Sequence, residues 1–177
     1  MADPIVIVPY DPAWPAEFER LRQTLADCLG DLVLAIEHIG STSVPGLAAK
    51  PILDINMVME SYAELPAIVE RLAALGYRHE GDLGIPGREA FRQPPDSGFL
   101  ACHLYCSPRD SVALRRHLAF RDYLRTHPDA VDEYARLKQA LAQCYRNDRP
   151  AYTDAKTGFV EGILARCGKG LSVGEGQ

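Results

Sequence analysis

The sequence predicts an α+β fold in which a mixed β-sheet is followed by a helical C-terminal part. Short apolar runs bounded by glycine and proline alternate with helical patterns as far as residue 106. From residue 111 onward only a period of about 3.6 residues remains. A length of 177 residues suits one domain. We expect that domain to span 1–167, with the sheet part at about 1–108 and the helical part at about 109–167.

Six runs in the sheet part have the composition of β-strands. The first, 5–8, is short and lies between Pro4 and Pro9, so it is expected at a sheet edge. The other predicted strands are 32–39, 52–59, 77–80, 89–93 and 99–106.

Five segments have the pattern of amphipathic helices. In 12–29 the apolar residues recur every three or four positions, and Gly30 ends the pattern. Thr153 is expected to cap the last helix, and the glycine-rich end, 168–177, is expected to be a disordered tail. The other predicted helices are 63–75, 111–126, 128–145 and 153–167.

Composition limits the class of protein. A formal net charge of −5 argues against a large nucleic-acid surface but leaves room for a small basic pocket. Neither a signal peptide nor a membrane-spanning run is recognisable, so we expect a cytoplasmic protein that does not act at a membrane. The five scattered cysteines predict reduced, mostly buried thiols rather than disulfides or structural zinc.

A Gly-Ser turn between two predicted strands is the strongest functional signal. Gly40 and Ser41 follow the strand 32–39, and a turn of this kind can present N–H groups and a hydroxyl to a phosphate. Asp54 lies on the next strand among apolar neighbours, where it could hold a hard cation beside that phosphate. The structural alternative is a turn followed by a carboxylate that caps a nearby loop.

Positive charges also occur where the helical pattern expects apolar residues. Arg121 and Lys156 fall inside apolar arcs of two predicted helices, and Lys138 flanks the arc of a third. They could line a phosphate pocket, or Arg121 could pair with a carboxylate and Lys156 could reach water. His103 could be a metal ligand, a base or a core histidine. Arg88 is either a phosphate contact or solvated surface.

Several motifs together resemble the GrpB family, which is related to a domain fused after dephospho-coenzyme A kinase in some bacteria. The main motif is His38-Ile-Gly-Ser-Thr-Ser-Val-Pro-Gly-Leu-Ala-Ala-Lys-Pro-Ile-Leu-Asp-Ile. Shorter matches, in chain order, are Tyr10-Asp-Pro-Ala-Trp14, Gly84-Ile-Pro-Gly-Arg88, His103-Leu-Tyr105, Leu118-Ala-Phe-Arg-Asp-Tyr-Leu-Arg125, Tyr134-Ala-Arg-Leu-Lys138, and Tyr152 with Lys156.

The resemblance implies the nucleotidyltransferase fold of the DNA polymerase beta superfamily. By that analogy Gly40 and Ser41, with Thr42 beside them, would contact phosphates, and Asp54 would be the first ligand of Mg²⁺ or Mn²⁺. The chain departs from the superfamily at two positions. Asn56 stands where the second carboxylate is expected, and the later strand has His103 where the third is expected. Asp54, Asn56 and His103 would then hold one divalent cation, with substrate phosphates completing its shell.

Two functions follow from these expectations. The first is nucleotidyl transfer from a nucleoside triphosphate to a small acceptor, with Asp54 and His103 as catalytic residues and with phosphates held by Arg88, Arg121, Lys138 and Lys156. The second is a non-catalytic module that binds a nucleotide or a coenzyme A-like ligand in the same pocket. A third hypothesis, weaker than both, is a partner-binding protein with a vestigial pocket.

Overall fold

The computed structural model describes residues 4–168, so the predicted tail lies outside the described part except for Gly168. Its centre is a five-stranded mixed sheet in the spatial order β1-β2-β5-β4-β3. The α+β class predicted from the sequence is confirmed. The strands are β1 (Ala35–Ile39), β2 (Leu53–Met59), β3 (Arg78–Gly81), β4 (Glu89–Arg92) and β5 (Cys102–Pro108).

In the part of the chain that the structure describes, six helices surround the sheet. The first two cover one face, while the remaining four form the helical part on the other. Their bounds are α1 (Trp14–Leu29), α2 (Leu65–Ala74), α3 (Val112–Thr126), α4 (Pro128–Cys144), α5 (Arg149–Ala155) and α6 (Thr157–Cys167), with short 3₁₀ turns at Gly30–Leu32, Ser41–Ser43 and Tyr62–Glu64. Within residues 4–168, none of the helices combines the length and apolar character that crossing a bilayer requires.

Strand β2 connects the main core to the candidate site, because its two faces contact different parts of the fold. Leu53, Ile55 and Met57 are fully buried against α1 and α2 in the main core. The alternate positions face the helical part, as the two-residue period of a strand dictates. β2 pairs antiparallel with β1 and parallel with β5, and the parallel register sets Asp54 opposite His103.

Three predicted strands were wrong in part or in whole. Strand β1 begins at Ala35 rather than 32, after the 3₁₀ turn Gly30–Leu32. Residues 5–8 form no strand: Ile5 bonds to Arg146 and packs near the C-terminal helices, and only Val8 makes an isolated bridge, to Ala49. The last strand begins at Cys102 rather than 99, because the Gln93 side chain binds the Cys102 N–H and the Leu100 carbonyl.

The final predicted helix is two helices. The chain becomes helical at Arg149, where the Asp148 carboxylate caps α5 by accepting from the Ala151 N–H, and it breaks at Lys156. Thr153 is therefore inside α5 and is not a cap. The expectation of mostly buried thiols was also incorrect for Cys144 and Cys167, which are exposed near helix ends.

Candidate phosphate site at the Gly-Ser turn

The turn after β1 is shaped by contact with β2. Gly40 has φ 68° and ψ −170°, a conformation that favours glycine, and a Cβ on it would overlap the Asp54 carboxylate. The Ser43 hydroxyl closes the turn by donating to the Gly40 carbonyl over 2.6 Å. Gly40 therefore allows Asp54 to lie against the backbone of the turn, and it leaves the Ser41 hydroxyl beside that carboxylate in one cavity.

Asp54 and His103 form a hydrogen-bonded pair across neighbouring strands. Asp54 Oδ1 lies 2.8 Å from His103 Nδ1, so the expected approach of these residues is confirmed. A carboxylate only accepts hydrogen bonds, and Nδ1 is therefore the donor. In the neutral ring, the other nitrogen, Nε2, is then an acceptor, and the side chain is 42% exposed.

A cavity of about 370 Å³, here called the Gly-Ser pocket, opens beside this pair. It is bounded by the turn, by β2 and β5, and by the helical part. Its charged or titratable side chains include Lys50, Asp54, Arg88, His103, His117, Lys138 and Lys156. Among the described lining residues Asp54 is the single carboxylate, so basic groups outnumber acidic ones.

Lys138 is the least exposed of these cations. Its side chain is almost fully buried, and Nζ donates to the Ser41 hydroxyl over 3.0 Å and to the Ala48 carbonyl. Lys156 lies over the Tyr152 ring at 4.4 Å, and Arg88 lies over the Tyr105 ring at 4.2 Å. Aromatic faces thus hold two of the cations in place without neutralising them.

The lysines of the pocket repel one another in a poorly solvated space. Burial, followed by the charge of Lys156, lowers the pKa of Lys138 to about 7; Asp54 opposes this, and Lys50 adds a smaller lowering effect. Burial and Lys50 likewise lower the pKa of Lys156 to about 8. Burial, and then Arg149, lowers the pKa of Lys50 as well. A bound anion would relieve both the repulsion and the desolvation.

The lysine content of the chain makes this clustering more specific. The sequence has four lysines, Lys50, Lys138, Lys156 and Lys169, among 19 basic residues. Three of them line the Gly-Ser pocket, and the fourth lies outside the described residues. Sequence reasoning missed Lys50, although it stands inside the main family motif, four residues before Asp54. Counting lysines separately from arginines would have revealed it.

Three of the residues predicted to bind a ligand lie outside the pocket lining. Arg121 pairs with Glu37 and Asp122, both at 2.7 Å, and also donates to the His38 carbonyl. The alternative that Arg121 pairs with a carboxylate is therefore correct, and the prediction that it lines the phosphate pocket was wrong. The Thr42 hydroxyl is buried against His38 Nε2 at 2.9 Å.

Asn56 also lies outside the pocket. It is fully buried and donates to the Ser107 hydroxyl over 3.1 Å, while its Oδ1 has no partner among the described residues. Across residues 4–168 no group of three or more His, Cys, Asp or Glu side chains could hold a metal ion. The donors present, Asp54 and His103, do not fit a two-cation centre, which needs several anionic ligands.

Comparison with known proteins decides the family. The family model described as GrpB protein matches residues 4–166. The chain belongs to the GrpB family. Its motif-based recognition from the sequence is confirmed.

Among relatives, UPF0157 protein PA4798 of Pseudomonas aeruginosa is 39% identical over 166 residues, covering 93% of this chain and 68% of that protein. UPF0157 protein YqkA of Bacillus subtilis is 35% identical over 157 residues, and the match covers 89% of this chain but only 45% of YqkA. A dephospho-CoA kinase of Mycolicibacterium paratuberculosis is 30% identical over 176 residues, with 86% of this chain and 43% of the kinase covered. The expected relation to a domain of such kinases is thereby confirmed.

Solved structures define the fold independently. The crystal structure of GrpB from Enterococcus faecalis is similar with a TM-score of 0.82 and 35% identity, covering 92% of this chain and 96% of that one. A structure of the Cid1 poly(U) polymerase is similar with a TM-score of 0.55 at 16% identity, covering 77% and 44% of the two chains. This GrpB-family chain therefore has a nucleotidyltransferase-like fold.

Proposed function

We propose that this protein binds a nucleotide or another phosphate-bearing small molecule in the Gly-Ser pocket. The observation that carries the proposal is the convergence of Lys50, Lys138, Lys156 and Arg88 on a cavity with one carboxylate. Buried cations without partners are costly, and a polyphosphate is a compact ligand that would neutralise several of them at once.

The Ser41 hydroxyl gives the phosphate chain a fixed point. It already receives a hydrogen bond from Lys138 Nζ, so a phosphate oxygen that accepts from Ser41 would lie close to that ammonium group. Cid1 has been crystallised with MgGTP, and the shared fold is consistent with a nucleotide in this protein. At 16% identity the likeness concerns the fold, and the case for phosphate rests on the lysines.

Titration calorimetry of the whole chain with inorganic tripolyphosphate, ATP and coenzyme A tests the proposal. We expect binding that weakens in Lys138→Met and Lys156→Met and persists in Arg109→Met. Arg109 is a matched loss of one positive charge, since it is 61% exposed and pairs with Glu60 outside the pocket. A ligand at 100 times its Kd should also stabilise the fold by about 2.7 kcal/mol. Absence of binding by all three ligands would overturn the proposal.

A second candidate function, nucleotidyl transfer to a small acceptor, is favoured by the Asp54–His103 pair. With Nδ1 bonded to Asp54, His103 Nε2 would accept the proton of an acceptor hydroxyl while the hydroxyl oxygen attacks the α-phosphorus and the bond to pyrophosphate breaks. In this scheme the lysines neutralise the charge of the leaving pyrophosphate. Pyrophosphate release from nucleoside triphosphates, lost in His103→Ala, would support transfer. Its absence with retained nucleotide binding would leave the non-catalytic module.

A further inference from the structure

A second cavity adjoins the Gly-Ser pocket and has the opposite character. It measures about 540 Å³ and lies between α3, α6 and the turn before β4. We call it the apolar cavity because its walls are mainly hydrophobic side chains. They include Ile85, Pro86, Val112, Phe120, Val160 and Leu164.

The two cavities share a wall. His117 lines both, and Gly87 of the apolar cavity is followed directly by Arg88 of the Gly-Ser pocket. On the other side, Val160 lies one helical turn after Lys156 and bonds to its carbonyl. A molecule whose phosphates contact Lys156 and Arg88 would therefore direct its remaining part toward the apolar cavity.

His117 marks the junction with an unmet hydrogen-bonding group. Its Nδ1 is buried and has no partner among the described residues. Buried polar atoms are paired in the great majority of cases, and an orphaned one at the junction of two cavities points to a group supplied by a ligand. Burial and the nearby Arg88 lower the pKa of His117 to about 4, so the ring is neutral near pH 7.

The rim of the apolar cavity is also unusually apolar for solvent-facing surface. Ile85 is 41% exposed and Val112 is 37% exposed, and Leu83 near them is 60% exposed. The wall beneath this rim is fixed, because the Ser111 hydroxyl caps α3 and donates to the Gly87 carbonyl over 2.7 Å. Grouped apolar exposure on a fixed wall is typical of a binding surface.

Building on the phosphate-binding function proposed above, we infer that the ligand is a phosphate ester carrying a ring-sized apolar or aromatic group, which occupies the apolar cavity. The adjacency of the two cavities at His117 selects this occupant. The cationic half of the combined site takes the phosphates, and the apolar half takes the group that they esterify. A simple inorganic polyphosphate would fill only the first half.

Calorimetry with ligands of equal phosphate charge tests this inference. Methyl triphosphate carries no ring, whereas ATP carries one. In the unaltered protein we expect ATP to bind at least about tenfold more tightly, as burial of one ring can readily supply. Val160→Trp should fill the apolar cavity and reduce the ratio of the two affinities toward one, with methyl triphosphate binding unchanged.

Two further variants guard against a folding artefact. Val6→Trp makes the same change at an exposed valine outside both cavities and should retain the preference for ATP. Ile85→Gln, at an exposed rim position, should reduce the preference without threatening the core. Equal affinities in the unaltered protein, or a preference untouched by Val160→Trp and Ile85→Gln, would overturn the inference while leaving phosphate binding in place. If the unaltered protein bound neither ATP nor methyl triphosphate, the proposed function itself would be overturned.

Discussion

The Asp54 carboxylate occupies the space that a side chain on Gly40 would need. Both residues bound the Gly-Ser pocket, and Gly40 has a positive φ that disfavours other residues. The same glycine thus shapes the turn and admits the acidic strand residue to its backbone. This contact brings the Gly-Ser turn and Asp54, the two main functional signals of the sequence, to the same pocket.

We expect Gly40→Ala to destabilise the fold by about 1–3 kcal/mol from backbone strain, with an added cost from overlap with Asp54. Urea unfolding of Gly40→Ala, Asp54→Ala and the double variant separates the two contributions. Asp54→Ala removes the carboxylate but keeps the Cβ, which lies 2.7 Å from the position of a Cβ on residue 40. It should therefore recover part of the overlap cost and leave the backbone strain. Strictly additive losses in the three variants would contradict the contact.

Arg121 should behave as a structural residue. Its guanidinium side chain is 12% exposed and binds Glu37, Asp122 and the His38 carbonyl. We expect Arg121→Ala to cost about 1.5–3 kcal/mol in unfolding free energy, because hydrogen bonds to charged groups are lost. Arg109→Ala, which removes a much more exposed ion pair, should cost no more than about 1 kcal/mol. Polyphosphate affinity of the folded Arg121→Ala protein should be unchanged, and a selective loss of affinity would return Arg121 to the binding site.

Phosphate binding should weaken as pH rises. Lys138 and Lys156 have pKa values of about 7 and 8 in the free protein, and a bound anion should raise both. Groups around them that also carry charge or titrate include Lys50, Asp54, Tyr134 and Tyr152. Because binding then takes up protons near pH 8, affinity should fall between pH 7 and 9. Calorimetry in buffers of different ionisation heat measures this uptake, which should shrink in Lys138→Met. If no protons were taken up on binding, Lys138 and Lys156 would not be the groups that contact the phosphates.

Without ligand, the same two lysines should make the fold less stable at neutral pH than at alkaline pH. Their pKa values are lowered on folding, so between pH 7 and their ordinary value near 10.5 the unfolded chain binds more protons. Their contribution to the free energy of unfolding therefore rises with pH across that window. Urea midpoints of the unaltered protein and the Lys138→Met, Lys156→Met double variant should converge as pH increases. A difference between the two urea midpoints that stays the same at every pH would contradict this prediction.

Two buried histidines should cause loss of stability in acid. Burial lowers the pKa of His38 and of His117 to about 4, so between pH 6.5 and 4 the unfolded chain binds more protons than the folded one. Stability from these groups is present above pH 6.5 and is lost as pH falls toward 4. His38→Gln should flatten this dependence in urea unfolding, whereas His127→Gln, at an exposed position, should not. An identical pH slope in both variants would contradict a role for His38.

Much of the fold could be predicted because local patterns and tertiary packing agree. The apolar period of α1 and the alternation around Asp54 in β2 each have one physical solution, so these elements were placed nearly correctly. The strand boundary at Cys102 depends on the Gln93 side chain, a partner nine residues away that no periodicity reveals. The split between α5 and α6 was signalled locally by Asp148 and Pro150, but the break at Lys156 was not.

The sequence by itself determined the α+β class, the GrpB family and the residues at the centre of the site, Gly40, Ser41 and Asp54. They could be recognised locally, because a strand-turn-strand segment restricts which residue types can stand at each of its positions. The tertiary structure alone decided which cations face that centre. The helical pattern shows that Arg121 lies within an apolar arc and that Lys138 borders one. Whether each side chain forms an ion pair or faces the pocket depends on which groups the neighbouring elements place opposite it. Arg121 meets Glu37, whereas Lys138 meets Ser41 and a carbonyl. Among residues 4–168, no carboxylate bonds to the buried Lys138 ammonium group.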